Sequence, residues 1–110
     1  MANYTKTSPS GLTDFVPAAV AATATPGTIF HTAGAAGIDE IWLWLTNTTA
    51  ADIVATIEHG GVAAGNLLKV TVPANDQVIA VPGVPLQNSK ICRVFAAAGL
   101  NMGGYVNRIS

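Results

Sequence analysis

The sequence predicts an all-β fold, a single-domain antiparallel β-sandwich of about eight short strands. Short apolar runs alternate with turn residues along most of the chain, a spacing that is typical of sandwiches and barrels. β-Branched residues dominate these runs, and Pro or Gly interrupts almost every window longer than about ten residues, which disfavours helices. A chain of 110 residues is short enough to form one domain around one core.

The predicted elements begin after a polar segment. Residues 1–14 are rich in Thr, Ser, Pro and Gly, and we expect them to form an extended N-terminal arm. Residues 15–110 form the sandwich domain, of the jelly-roll or immunoglobulin-like kind, because a single sheet with a bare apolar face is not stable. The predicted strands cover residues 15–24, 27–33, 38–47, 52–60, 67–73, 77–82, 90–98 and 103–109. A helical turn within the alanine-rich stretches 17–24 or 95–100 would not change this class.

One predicted strand is apolar on both faces. Successive strand residues point to opposite sides, so Ile41, Leu43 and Leu45 share one face while Trp42 and Trp44 share the other. A chain of this length has no third layer to cover the tryptophans. Three interpretations remain open: a contact between subunits, a cluster within the chain under a loop, and an aromatic platform for a ligand.

The interpretation as a subunit contact also involves the predicted strand 90–98. Within it, Val94 and Phe95 are the apolar residues that we expect to join Trp42 and Trp44 in a self-contact. Tryptophan is enriched at the centres of interfaces. The proposed interface therefore consists of these four residues.

The charge content favours association over nucleic-acid binding. Charged residues make up 10% of the chain, with a formal net charge of -1, against about 25% in ordinary domains. The charges are scattered singly, whereas nucleic-acid binding needs clustered cations. A weakly charged surface also lacks the repulsion that keeps monomers apart. We expect this surface to be covered by copies of the chain or by a partner.

The sequence contains no recognisable catalytic or metal-binding motif. His31 and His59 lack carboxylate or cysteine partners at ligand spacing, so no metal site is predicted. Glu58 and His59 are adjacent in a predicted strand, point to opposite faces and are interpreted as rim residues. The glycine groups at 34–37, 59–65 and 99–104 precede no helix that could hold a phosphate. We predict a protein that is not an enzyme and has no cofactor.

The remaining sequence signals concern compartment and membrane. Cys92 is the only cysteine, so no internal disulfide is possible, and we interpret it as a buried inert thiol. The first residues show no secretory signal pattern. No apolar run reaches the length needed to span a bilayer, and no membrane partner is predicted.

Three segments of the second half carry a resemblance to a known class of protein. They are IWLWLTNTTAADIVATIEHGG, VPANDQVIAVPGVPLQNSKICRVFAAAG and NMGGYVNRI. Their order, from Ile41 to Ile109, resembles that of small virion proteins of tailed bacteriophages. The resemblance lies in the order of strands and turns across about two thirds of the chain, and it includes no catalytic motif.

The resemblance implies a function in the virus particle. Proteins of this class are β-sandwich modules that decorate or cement the capsid, often as trimers, or that belong to tail structures. It implies a homotrimer made in the host cytoplasm that binds the major capsid protein on the outer surface of the head. Tyr4, Thr5 and Pro9 of the arm are the residues we expect to contact the shell. A tail, collar or fibre component and a carbohydrate-binding module are the alternatives.

Overall fold

The computed structural model describes residues 3–97 and 99–110, and their strands form two antiparallel sheets packed face to face. Met1 and Ala2 of the predicted arm, and Ala98 of the predicted strand 90–98, lie outside the described residues. The strands are β1 (Tyr4–Thr7), β2 (Ala18–Ala19), β3 (Thr28–Thr32), β4 (Ile38–Asn47), β5 (Ile53–His59), β6 (Leu67–Val72), β7 (Asp76–Leu86), β8 (Ile91–Ala96) and β9 (Leu100–Ile109), with a 3₁₀ turn at Ala64–Asn66. The predicted β-sandwich is confirmed.

The strand order identifies which sandwich this is. One sheet has the order β1-β9-β4-β7, with β2 also paired to β9, and the other has the order β3-β8-β5-β6. We call the first the aromatic sheet and the second the opposite sheet. The pairs β5 with β6, β4 with β7, β3 with β8 and β2 with β9 nest around one central hairpin. That nesting is the double Greek key of the jelly roll, so the immunoglobulin-like alternative is wrong.

The N-terminal segment differs from the expected arm. Residues 4–7 pair with residues 106–109 of β9 and form an edge strand of the aromatic sheet. Farther along, the Gly11 backbone N–H donates to the Phe30 carbonyl at 2.8 Å, and the Leu12 side chain is buried in the core. This docking gives the backbone groups at the edge of β9 hydrogen-bond partners and removes the Leu12 side chain from water. An unpaired strand edge and an exposed leucine would both be unfavourable.

The core lies between the inner faces of the two sheets. Ile41, Leu43 and Leu45 of β4 are 0% exposed, as the alternation along this strand predicts. They pack within a cluster that includes Phe30, Ile57, Val72, Val81, Val94, Leu100, Met102 and Val106. Each such side chain contributes roughly 2 kcal/mol through its removal from water.

Cys92 belongs to this core. Its side chain is 0% exposed, and burial raises the pKa of the thiol to about 12. Since the thiolate is the reactive form, we expect the folded protein to resist a thiol reagent at pH 8. The same reagent is expected to label Cys92 fully in denaturant. Rapid labelling without denaturant, measured by mass spectrometry, would contradict this burial.

Buried polar side chains form hydrogen bonds that hold the connecting segments against the strands. Asn47, at the end of β4, donates from Nδ2 to the carbonyls of Ala51 at 2.7 Å and Val72 at 3.0 Å. Glu58 accepts from the Thr25 hydroxyl at 2.5 Å and from the Gly27 N–H at 2.6 Å. Glu58 is 1% exposed, so its interpretation as a rim residue is wrong. The connection from β2 to β3 covers it on the outer side of the opposite sheet.

Candidate functional site

The outer side of the aromatic sheet carries the residues of greatest interest. Trp42 and Trp44 of β4 point away from the core and are partly buried. On the neighbouring strand, Tyr105 of β9 lies directly across from Trp42, and Ile79 of β7 lies across from Trp44. Ile79 is 58% exposed. We call Trp42, Trp44, Tyr105 and Ile79 the aromatic face.

The rings of this face stack across the strands. Trp42 and Tyr105 are stacked, with ring centroids 5.8 Å apart and planes 16° from parallel. The Lys6 ammonium lies 4.5 Å from the Tyr105 ring centroid and approaches from β1, on the other side of β9. Trp44 meets Tyr105 edge-on, at 6.0 Å and 71°. Tyr105 is thus contacted from both neighbouring strands.

Two glycines provide the space that the indole rings occupy. A Cβ atom at Gly83 would lie 2.8 Å from Cζ2 of Trp42, and at Gly103 it would lie 3.1 Å from Nε1 of Trp44. Gly83 also has a φ of +73°, which side chains other than glycine rarely adopt. The tryptophans therefore pack onto bare backbone of the adjacent strands, and the position of each ring is fixed by a glycine distant in sequence.

Opposite charges flank the aromatic face. On the row of the sheet next to Trp42 and Tyr105, Lys6 of β1 and Glu40 of β4 lie on either side of Asn107 of β9. The Asn107 amide donates to Glu40 Oε1 at 3.1 Å. This contact orients the Glu40 carboxylate without neutralising its charge.

The structure brings only some of the proposed interface residues together. Trp42 and Trp44 lie side by side on the aromatic face. Val94 is 0% exposed inside the core, and its side chain cannot contact another subunit. Phe95 lies on the outer side of the opposite sheet, across from Thr56. Adjacent residues of a strand point to opposite faces, which is why Val94 and Phe95 do not act together, and the four residues do not form one surface.

The residues proposed to contact the shell are also separated. Tyr4 is 67% exposed and lies at one end of the outer side of the aromatic sheet, across from Ile109. Thr5 is exposed, whereas Pro9 is buried. Burial withdraws Pro9 from any shell contact and leaves Tyr4 and Thr5 accessible.

A buried ionic cluster at one end of the sandwich was missed by sequence reasoning. Asp39 accepts hydrogen bonds from Arg108 Nε at 2.8 Å and Nη2 at 2.9 Å, from His31 Nε2 at 2.8 Å and from the Gly34 N–H at 3.3 Å. Arg108 is the main cause of a pKa of about 2 for Asp39, below the ordinary 3.8. The carboxylate is therefore ionised at neutral pH although it is 1% exposed.

The geometry assigns this cluster a structural role. The backbone N–H of Ser10 donates to His31 Nδ1 at 3.0 Å, so Nδ1 carries no proton and Nε2 is the donor toward Asp39. Both ring nitrogens are occupied, and the ring is 2% exposed. The imidazole has no free lone pair for a substrate. It links the N-terminal segment, the opposite sheet and the aromatic sheet.

No family model, no curated protein and no solved structure matches the chain.

The geometry of the aromatic face suits contact with another protein. Within residues 3–97 and 99–110, no group of three or more His, Cys, Asp or Glu side chains is arranged to hold a metal ion. The same residues include no helix long and apolar enough to cross a bilayer. An aromatic surface flanked by one cation and one anion offers apolar contact and charge selection, the two properties that protein interfaces use.

Proposed function

We propose that the protein is a head decoration protein of a tailed bacteriophage, which binds the outer surface of the assembled capsid as a homotrimer and stabilises it. The aromatic face is the observation that supports this proposal best, because a surface of two tryptophans, a tyrosine and an exposed isoleucine needs a partner. The jelly-roll fold, the resemblance of the second half to small virion proteins and the scarcity of charge also support it.

Repeated weak contacts explain how such a small protein stabilises a shell. A trimer that engages several capsid subunits converts each further contact into an intramolecular one, so that the total affinity exceeds that of any single contact. The low charge of the chain, at 10% of residues, suits permanent apolar contacts of this kind. Tyr4 and Thr5, at the accessible end of the aromatic sheet, are the proposed shell contacts.

The proposal is tested on heads of the encoding phage prepared without this protein. We expect the purified protein to bind these heads, to appear at regular positions on their outer surface in electron micrographs and to raise the temperature at which they release DNA. Tyr4→Ala is expected to weaken head binding at least about tenfold, as for a residue central to a contact. Val62→Ala, which changes another exposed apolar residue, is the matched control.

Other outcomes of this experiment identify other roles. Density on the tail or collar instead of the head would replace decoration by a tail function. Failure to bind any part of the particle would overturn both. Deletion of residues 2–14 is a poor test, because it removes strand β1 and the buried Leu12 together with any contact residues.

The carbohydrate-binding alternative has weaker support from the geometry. A sugar stacks on the open face of an aromatic ring, whereas Tyr105 is contacted by Lys6 from one neighbouring strand and by Trp42 from the other. We expect tryptophan fluorescence to stay unchanged across a broad panel of glycans. Saturable quenching by one sugar would revive this alternative.

A further inference from the structure

We propose that the aromatic face is covered by a second copy of this chain, with Lys6 of each copy facing Glu40 of its neighbour. This inference rests on the self-association included in the proposed function, but it is independent of shell binding. The occupant of the surface is a copy of the same chain, and the contact between Lys6 and Glu40 favours that copy over other partners.

The surface carries two charges that have no counter-charge within the described chain. Both ion pairs found within residues 3–97 and 99–110 involve Asp39, with His31 and Arg108 as its partners. In that part of the chain Lys6 contacts a ring and Glu40 contacts an amide, so neither has an opposite charge. A surface that carries one cation and one anion, both without a counter-charge, is complementary to itself.

The two charges also occupy matching positions in the sheet. Lys6 and Glu40 lie at the same level of the sheet, one on each side of Asn107 in β9. Two faces related by a two-fold axis along β9 would bring each Lys6 opposite the partner's Glu40. In a ring of three, the β1 side of each face meets the β4 side of the next copy, and the same pair forms in every contact. In either symmetry, every Lys6 and every Glu40 in the contact faces a residue of opposite charge.

The apolar part of the surface also suits a copy of the chain. Trp42, Trp44 and the exposed side chain of Ile79 form an apolar strip beside these charges. A shallow groove lies along it, lined by Trp44, Gln77, Val78 and Ile79. A copy of this surface presents a similar apolar strip beside one cation and one anion. A strongly acidic or basic partner would leave one of the two charges facing its own sign.

The size of the surface sets the expected strength. In the two-fold arrangement about β9, three overlapping strands about 4.8 Å apart and five outward rows about 6.7 Å apart give roughly 500 Å² for each copy. Two such surfaces bury about 1,000 Å², which is near the lower limit for a specific interface. Association is therefore expected to depend on each central contact and to respond to single substitutions.

The test exchanges the two charges. The molar mass of the wild type, Lys6→Glu, Glu40→Lys and the double variant is measured by light scattering over a dilution series. Each single variant is expected to associate at least about tenfold more weakly, because like charges then face one another. The double variant should recover to within about threefold of the wild type. Lys69→Glu, the same change at an exposed residue of the opposite sheet, should associate as the wild type does.

Each outcome of this experiment either supports or overturns the proposed contact between copies. Urea unfolding of the variants, at a concentration where all are monomeric, establishes that they fold. Folded single variants that associate as well as the wild type, a double variant that stays dissociated, or a wild type that is monomeric at high concentration would overturn the inference. Association without head binding would contradict the decoration function and leave this contact standing. Head binding by a protein that stays monomeric would support the decoration function and overturn this contact.

Discussion

Replacement of Asp39 by asparagine is expected to lower the free energy of unfolding by about 3 kcal/mol, because it removes a buried carboxylate that pairs with Arg108 and accepts a hydrogen bond from the buried His31. The amide cannot replace the carboxylate as the acceptor for four donors. Arg108 would lose its counter-charge, and the buried His31 Nε2–H would compete for a single carbonyl oxygen. Urea denaturation at pH 7 and fixed protein concentration measures the change through the shift of the midpoint.

Asp14→Asn is the matched control for this substitution. Asp14 is exposed and has a φ of 52°, a conformation that asparagine adopts readily. We expect its free energy of unfolding to change by less than about 0.5 kcal/mol. If Asp39→Asn changed the free energy of unfolding as little as Asp14→Asn, the ionic cluster and its four hydrogen bonds would contribute nothing to stability.

Acid titration gives a second readout of the same cluster. The pKa of Asp39 is about 2 in the folded protein, against an ordinary 3.8, so the unfolded chain binds a proton more readily than the folded one. The resulting stabilisation, about 2 kcal/mol, is present above pH 3.8 and is lost as the pH falls through about 2. The difference between the wild type and Asp39→Asn should therefore narrow between pH 5 and pH 2. A difference independent of pH would assign the effect to packing instead.

The fold class was predictable because it depends on local patterns. Alternation along residues 41–45 placed each side chain on its face, and turn residues marked most strand ends. The pairing of strands, by contrast, depends on residues that are far apart in the sequence. The sequence could not show that residues 4–7 dock on residues 106–109, since a short polar strand carries no apolar signal and is held by the backbone edge of β9.

The candidate site was predictable only in part for the same reason. The tryptophans were conspicuous, but Gly83 and Gly103, which provide their space, belong to other strands and read as ordinary turn or bulge glycines. The ionic cluster joins His31, Asp39 and Arg108, three residues whose proximity follows from the jelly-roll winding. Asp39 and Arg108 are neighbours only because β4 pairs with β9. A charged residue at an inward position of β4 was the one available signal, since an ion buried there needs a partner.

The two faces of β4 are expected to respond to substitution in different ways. Leu43→Ala should lower the free energy of unfolding by about 3 kcal/mol, since Leu43 is 0% exposed and its truncation leaves a cavity between the sheets. The variant is expected to remain folded at low temperature and to associate normally. Urea denaturation gives the loss of stability, and light scattering at 10 °C gives the association.

Trp44→Ala, one position along the same strand, should show the opposite pattern. Its ring is partly exposed and rests on Gly103 and against the edge of Tyr105, so its loss should lower the free energy of unfolding of the monomer by only about 1 kcal/mol. Its loss from the aromatic face should dissociate the oligomer, because aromatic side chains at interface centres contribute most to binding. If Trp44→Ala instead unfolded the monomer and left the association intact, the outer tryptophans would serve the sandwich itself. The aromatic face would then not be an interaction surface.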